Sequence, residues 1–227
     1  MSPVKQPAPA RMSRGYLVTF EGIDGCGKST QALLFCRYLK AKKIPVILLQ
    51  EPGGTFIGQR IRRLLLHQRK PLTPWCELFL YLASRAQLVE EKVKPALLSG
   101  KVVVLDRHTD STLAYQGYGR KLPLSFIRAA HACFLKRVRP DLTFLIDASA
   151  EKLSGILSAK GRDRMEQETL AFQKSVRRGY LHLARHEKKR IRVIPRESIA
   201  ETSEKIIREW ESFCQKEVSS PAKSEKQ

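Results

Sequence analysis

The chain alternates short apolar runs with longer segments in which apolar positions recur every three or four residues. The short runs are "YLVTFE" (16–21), "PVILLQ" (45–50), "KVVVL" (101–105), "LTFLID" (142–147) and "RIRVIP" (190–195). Their apolar content is nearly continuous, as in strands covered on both faces. The longer segments predict helices near 28–41, 56–67, 75–98, 109–117, 123–137, 150–158, 166–187 and 200–217. Strands that alternate with helices in this way predict a parallel α/β sheet, here of five strands. No repeat or linker interrupts residues 15–217, which form one domain in this reading. Residues 1–14 ("MSPVKQPAPARMSR") read as a flexible basic tail, and residues 218–227 as a second flexible tail.

In parallel α/β sheets ligands gather at the carboxyl ends of the strands, so those ends carry the functional information. The first strand runs into "GIDGCGKST", in which Gly22, Gly27, Lys28 and Ser29 fit the phosphate-loop spacing G-x-x-x-x-G-K-[ST]. Backbone N–H groups of such a loop wrap phosphate oxygens, and the helix that follows turns its positive end toward them. Gly22, Ile23, Asp24, Gly25, Cys26, Gly27, Lys28, Ser29 and Thr30 are therefore the candidate ATP-binding residues. Lys28 supplies a point charge for the β- and γ-phosphates, and the Ser29 hydroxyl is a candidate Mg²⁺ ligand. An ordinary glycine-rich turn is the competing reading. A buried strand before the loop and a helix after it favour phosphate binding.

Two other strand ends are unusual. The second leads into "QEPGGTFIG", with Glu51 and Pro52 ahead of two glycines. The third leads into "LDRHTDSTLAYQGYGR", where Asp106 stands where phosphate-loop enzymes keep a carboxylate near the metal. Arg107 beside it suits bidentate phosphate contact. On a helix over 109–117, Thr112, Tyr115 and Gln116 share one face and offer a hydroxyl, a ring and an amide. Tyr81 and Arg85, four residues apart on the long helix, project together. That pair reads either as an exposed cation–π contact or as a base-stacking ring with a donor beside it. Between two helices, "SAKGRDRMEQE" (158–168) crowds Lys160, Arg162 and Arg164 around Gly161, as a lid closing on phosphates would.

Charge and cysteine content change this picture little. The 42 Lys and Arg against 22 Asp and Glu give a formal charge of +20, which attracts any polyanion. Part of the excess lies in the tails and part between Lys160 and Arg196, densest in "RHEKKRIR". No RNA-binding signature or aromatic stripe accompanies it, so a solvated basic face with weak nucleic-acid association is expected. Five scattered cysteines without C-x-x-C spacing argue against a zinc site or a disulfide framework and for a reducing cytoplasm. Cys26 alone raises a redox question, because a helix N-terminus can lower a thiol pKa. No apolar run approaches the ~20 residues of a membrane span, and no signal-peptide pattern opens the chain.

"FEGIDGCGKST", "EPGGT", "ASRAQLVEE", "DRHTDSTLAYQGYGR", "RPDLTFLID" and "GRDRMEQE" follow one another in the order of a bacterial thymidylate kinase, which residues 16–215 resemble. The resemblance implies a phosphate-loop nucleoside monophosphate kinase fold: a doubly wound five-stranded parallel sheet, helices on both faces, and a short lid at about 158–166. It implies transfer of a phosphoryl group from ATP to dTMP, with Mg²⁺, by a cytoplasmic homodimer. Asp24, Glu51, Pro52, Tyr81, Arg85, Arg107, Thr112, Tyr115 and Gln116 become dTMP-binding candidates. Tyr81 stacks on thymine, Arg85 bonds its carbonyl edge, Arg107 grips the acceptor phosphate, and Tyr115 underlies the deoxyribose. Lys28, Arg107, Arg162 and Lys160 become catalytic candidates, with Ser29 and Asp106 at the metal. Family members carry either a basic residue in the phosphate loop or a glycine there with basic lid residues. Gly25 puts this chain with the second kind.

Some positions depart from the family pattern. Gln50 stands where Arg is usual, Tyr81 where Phe is commoner, Lys160 where many lids have Arg, and "IPRES" replaces the usual turn after the last strand. Two alternatives stay open at this level: a phosphate-loop kinase for another nucleotide or deoxynucleoside, and a basic nucleic-acid-binding ATPase.

Overall fold

The computed structural model describes residues 14–67, 70–135, 138–157, 164–165 and 168–219. Five strands, β1 (Tyr16–Glu21), β2 (Val46–Gln50), β3 (Val102–Asp106), β4 (Leu142–Asp147) and β5 (Ile191–Pro195), form one sheet in the order β2-β3-β1-β4-β5. Every pairing is parallel, with Val18 opposite both Val104 and Leu142. The chain fills one side of β1 with β3 and β2, then the other with β4 and β5. Strand order therefore reverses at β1, and the carboxyl end of β1 is the switch point where a crevice opens.

Alternation along the strands builds a core on each face of the sheet. Val18, Phe20, Val102 and Val104 face one cluster, which Phe35 and Leu39 of α1 (Lys28–Ala41) and Trp210 of α9 (Ile199–Ser219) complete. Leu17, Val103 and Leu105 face the other, against Leu88, Val89 and Val93. The phenyl rings of Phe20, Phe35 and Phe144 meet at 5.3–5.8 Å between centroids, with the Trp210 indole 5.4 Å from Phe35. These contacts fix α1, and with it the loop that precedes it, onto the central strands.

The long helix foreseen over 75–98 is present but not uniform. It comprises α3 (Pro74–Leu88), a π-helical turn at Val89–Val93 and α4 (Lys94–Leu98). The Lys94 N–H reaches back five residues to Val89 O. Pro95 explains the widening, since its ring cannot share the turn with a carbonyl four residues back and it has no N–H to donate. The segment foreseen as a helix over 109–117 is a single turn, α5 (Thr109–Thr112), followed by a π-helical stretch, Leu113–Gly119. The helix foreseen over 166–187 starts later, as α8 (Leu170–His186), because the Thr169 hydroxyl accepts the Phe172 N–H and caps it there. The remaining helices are α2 (Phe56–His67), α6 (Leu124–Leu135) and α7 (Ala150–Leu157).

Candidate active site

The phosphate loop leaves β1 at Gly22, whose φ is +144°. A Cβ there would sit 2.6 Å from the Ile146 carbonyl and 2.7 Å from Cys26 Sγ, so only glycine fits. Gly27 is the N-cap of α1 at φ +94° with no side-chain cap. The first N–H groups of α1 therefore have no partner within the helix, and its first turn holds no acidic residue to compete with an anion. Ile23 points into the core instead of the loop's concavity. Cys26 is also buried, and burial pushes its thiol pKa up, the opposite of the shift a redox role needs. The redox question raised by its place before a helix is thus answered against a reactive thiol.

Ser29 Oγ donates to Asp106 Oδ2 at 2.5 Å, and Asp106 Oδ1 is buried without a partner among the described residues. Two hard oxygens, one an orphaned carboxylate atom, suit Mg²⁺. Among the described residues no group of three or more His, Cys, Asp or Glu could hold an ion alone. The remaining ligands of such an ion would be phosphate oxygens and water, the usual arrangement for Mg²⁺ bound with a nucleotide.

Arg107 lies at the centre of the second cluster. Its Nη2 donates to Asp24 Oδ1 at 2.5 Å and to Tyr115 Oη at 3.0 Å, and its Nη1 to Ser111 Oγ and Tyr180 Oη. Its backbone takes φ +74°, a left-handed turn that swings the chain out of β3 toward the phosphate loop. Asp24 also accepts from Tyr115 Oη at 2.8 Å and lies 3.5 Å from Lys28 Nζ. Burial alone would raise its pKa, but Arg107 and then Lys28 hold it near 2, so Asp24 is an anion throughout the physiological range. The loop carboxylate thus aims a guanidinium and an ammonium at one space.

Behind Arg107, Glu21 accepts from the His108 N–H, Ser111 Oγ and Tyr180 Oη. Burial, and then the charge of Asp110, lift its pKa from 4.5 to about 7. A raised carboxyl pKa means the native state binds more protons than the unfolded chain between those values. Stability is then fully present below about pH 4.5 and falls as pH climbs through about 7, by about 3 kcal/mol at most. Denaturant melts of wild type and Glu21→Gln across that window should show the stability of wild type relative to Glu21→Gln falling as pH rises.

A third cluster surrounds Arg85, which is 1% exposed. Its Nε donates to Glu51 Oε2 at 2.6 Å, its Nη1 to Thr112 Oγ1 and His131 Nε2, and its Nη2 to the His108 carbonyl. Glu51 also meets His108 Nδ1 at 2.9 Å. Burial would raise the Glu51 pKa, yet Arg85 and His108 bring it below the ordinary carboxylate value. Tyr81 Oη is pushed the other way, above the usual phenol range, by burial and the charge of Glu77. The Pro52 carbonyl accepts from Arg62 Nη1. Gln116 gives its amide N–H to Glu77 Oε1, and its amide oxygen has no partner among the described residues.

These clusters share one cavity of about 500 Å³. Asp24, Gly25, Gly27, Lys28, Ser29 and Thr30 line one end, and Glu51, Pro52, Tyr81, Arg85, Thr112 and Gln116 the other. Asp106, Arg107 and Tyr115 lie along its wall. A phosphate site and a planar-ring site joined by an arginine form the layout of a nucleotide phosphotransferase. The family model of thymidylate kinases matches residues 20–206. The chain belongs to the thymidylate kinase family.

Individual members are close in sequence. The thymidylate kinase of Carboxydothermus hydrogenoformans is 49% identical over 181 residues, covering 78% of this chain and 88% of that protein. That of Kosmotoga olearia is 42% identical over 195 residues, covering 85% and 94%. The crystal structure of thymidylate kinase from Ehrlichia chaffeensis superimposes with a TM-score of 0.71 at 32% identity, covering 86% of this chain and 98% of that one.

Two lid candidates, Lys160 and Arg162, lie outside the described residues. Arg164 is described, and its guanidinium donates to Glu77 Oε2 at 2.6 Å and to the Leu65 carbonyl at 2.8 Å. Sequence reading missed Arg62, Ser111, Tyr180, Glu77, His108 and His131. Arg62 and Ser111 line the cavity, and the other four hold residues that do. In the sequence Arg62 is one of three arginines in "RIRR", and nothing there marks which of them turns inward.

Proposed function

We propose that this thymidylate kinase family member transfers the γ-phosphoryl group of ATP to dTMP, giving dTDP and ADP, with Mg²⁺, as a cytoplasmic homodimer. The observation that carries this reading is the shared cavity, in which Arg107 stands between the phosphate loop and the Tyr81–Arg85 pocket. A phosphate oxygen of dTMP forms the new bond to the γ-phosphorus while the bond from that phosphorus to the β-bridging oxygen breaks. The attacking oxygen is ionised at neutral pH, so no general base is needed. The chain supplies alignment and charge: Lys28 for the donor, Arg107 and Arg62 for the acceptor, and Asp24 to hold Arg107 in place. Mg²⁺ held through Ser29 and Asp106 would neutralise charge on the donor phosphates. Tyr81 gives the base a stacking face, Arg85 a donor for its carbonyl edge, and Tyr115 closes the space beside the sugar.

A coupled ADP-release assay with a panel of nucleoside monophosphates tests the reading. kcat/KM should be highest for dTMP, about 10–200-fold lower for dUMP, and lower still for the ribose analogue. A dCMP or dGMP rate above that of dTMP would overturn the base assignment.

The homodimer has its own support. Trp75 and Phe79 on α3 meet Phe126 on α6 edge to face at 5.1 and 6.2 Å, yet all three rings are 40–53% exposed. A surface of this kind fits burial against its own copy. Sedimentation should give the mass of two chains, and Phe79→Glu, placing like charges at the centre of a symmetric contact, should give one. A dimer unmoved by Phe79→Glu would place the contact elsewhere.

A further inference from the structure

The hydrogen bonds of Arg85 leave it little freedom. A guanidinium has five N–H groups. Four are used: Nε on Glu51 at 2.6 Å, Nη1 on Thr112 Oγ1 at 2.8 Å and on His131 Nε2 at 2.7 Å, and Nη2 on the His108 carbonyl at 3.0 Å. Among the described residues one N–H, on Nη2, is without a partner and remains for a ligand in the cavity that Arg85 lines. Where that hydrogen points depends on the tilt of the guanidinium plane, and so on the partners of the other four. Glu51, Thr112 and His108 come from the strand ends and from the turn after β3. His131 alone comes from α6, which packs against α3 from outside the site.

His131 is built for this contact. Its ring is 6% exposed and edge-on to Phe134, with centroids 6.3 Å apart. A guanidinium can only donate, so Nε2 must present a lone pair and the proton must sit on Nδ1. Burial, and then the charge of Arg85, push the imidazole pKa down to about 2, so the ring is neutral and an acceptor near neutral pH. His131 contributes no atom to the cavity lining.

We propose that His131 is a positioning residue for base recognition: by accepting from Nη1 it sets the plane of Arg85 and aims the remaining Nη2 hydrogen at the base. This rests on the dTMP kinase reading above. A fixed cationic donor favours the O4 carbonyl of thymine and opposes the amino group at the same place in cytosine. The consequence is selectivity: losing His131 weakens binding of dTMP and narrows its advantage over dCMP.

The test compares His131→Leu, which keeps bulk and removes the acceptor, with His131→Gln, whose carbonyl replaces it. In His131→Leu, KM for dTMP should rise about tenfold, the cost of a lost bond to a charged donor. The dTMP to dCMP ratio of kcat/KM should shrink by a similar factor, while kcat and KM for ATP stay within about threefold of wild type. His131→Gln should recover most of both effects. A purely structural role predicts instead that kcat falls for both acceptors alike with the ratio unchanged, and that result overturns the proposal. So does a KM for dTMP within twofold of wild type in His131→Leu. Should His131→Leu fold poorly, ¹⁵N shifts of the wild-type ring decide: unprotonated Nε2 down to about pH 5 supports the contact, and the Nε2–H tautomer overturns it. Wild-type protein that does not turn over dTMP defeats the underlying reading and the inference with it, whereas normal wild-type turnover with an unmoved His131→Leu defeats the inference alone.

Discussion

Arg107→Met is expected to lower kcat/KM for dTMP by about a thousandfold, one of the two largest losses foreseen for any single substitution. Removing one member of a buried, hydrogen-bonded charge pair costs about 2–5 kcal/mol, or roughly 30- to 5,000-fold. Arg107 belongs in the upper half of that range because it serves both the ligand and the protein. Its side chain holds Asp24, Tyr115, Ser111 and Tyr180 at once. Without it Asp24 keeps, among the described residues, the Tyr115 hydroxyl and the more distant Lys28, and its pKa rises from about 2 toward the ordinary value. Arg107→Lys should rescue little, since a single ammonium cannot span four partners and a phosphate. Steady-state kinetics with each substrate varied in turn makes the check. A rise in KM for ATP with KM for dTMP unchanged would move Arg107 to the donor side.

Most of this machinery is legible in the sequence because its parts answer to local rules. The five strands lie within a residue of where their apolar runs place them, since a parallel strand covered on both faces has few polar positions. The phosphate loop, Asp106 and Arg107 sit at strand ends, the places the fold reserves for ligands. What the sequence hides is how side chains are shared. On an α-helix over 109–117, Thr112, Tyr115 and Gln116 form one face. In the structure the turn widens to a π-helix after Thr112, and all three still line the one cavity, each held by a different partner. Tyr115 goes to Asp24, Gln116 to Glu77 and Thr112 to Arg85. The buried partners Glu21, Glu77, His108 and His131 are equally invisible, because a charged or imidazole residue read in the sequence does not say what it meets across the fold. Charge is a similar case. In "RHEKKRIR", Arg190 forks onto Asp110 and Arg192 onto Glu209, so part of a run that reads as a bare basic face is structural.

The second large effect is expected in the lid, where the structure narrows the choice. Three cations surround Gly161 in the sequence, and any of them could meet the transferring phosphoryl group. Arg164 is already committed: Glu77 Oε2 and the Leu65 carbonyl hold its guanidinium, and its backbone N–H donates to Leu66 O. Glu77 in turn is held below the ordinary carboxylate pKa, against the upward push of burial, by Arg120, Gln116 and Arg164. Moving Arg164 to the phosphates would strip that buried carboxylate of a partner. With Gly25 in the phosphate loop, the loop itself offers no cation besides Lys28. We propose that the role falls to Arg162, whose planar fork can span two phosphate oxygens, with Lys160 as a supporting point charge. Arg162→Met should lower kcat at least ~10²-fold, short of the ~10³–10⁵ of arginine fingers because Lys160 remains. KM for dTMP should barely move, since the contact forms mainly in the transition state. Lys160→Met should cost less than Arg162→Met, an ammonium being the easier of the two to replace. Arg164→Met should instead lower the melting temperature, its loss falling on Glu77 and the α2–α3 packing. If Arg162→Met and Lys160→Met both keep kcat within threefold of wild type, the lid assignment is wrong.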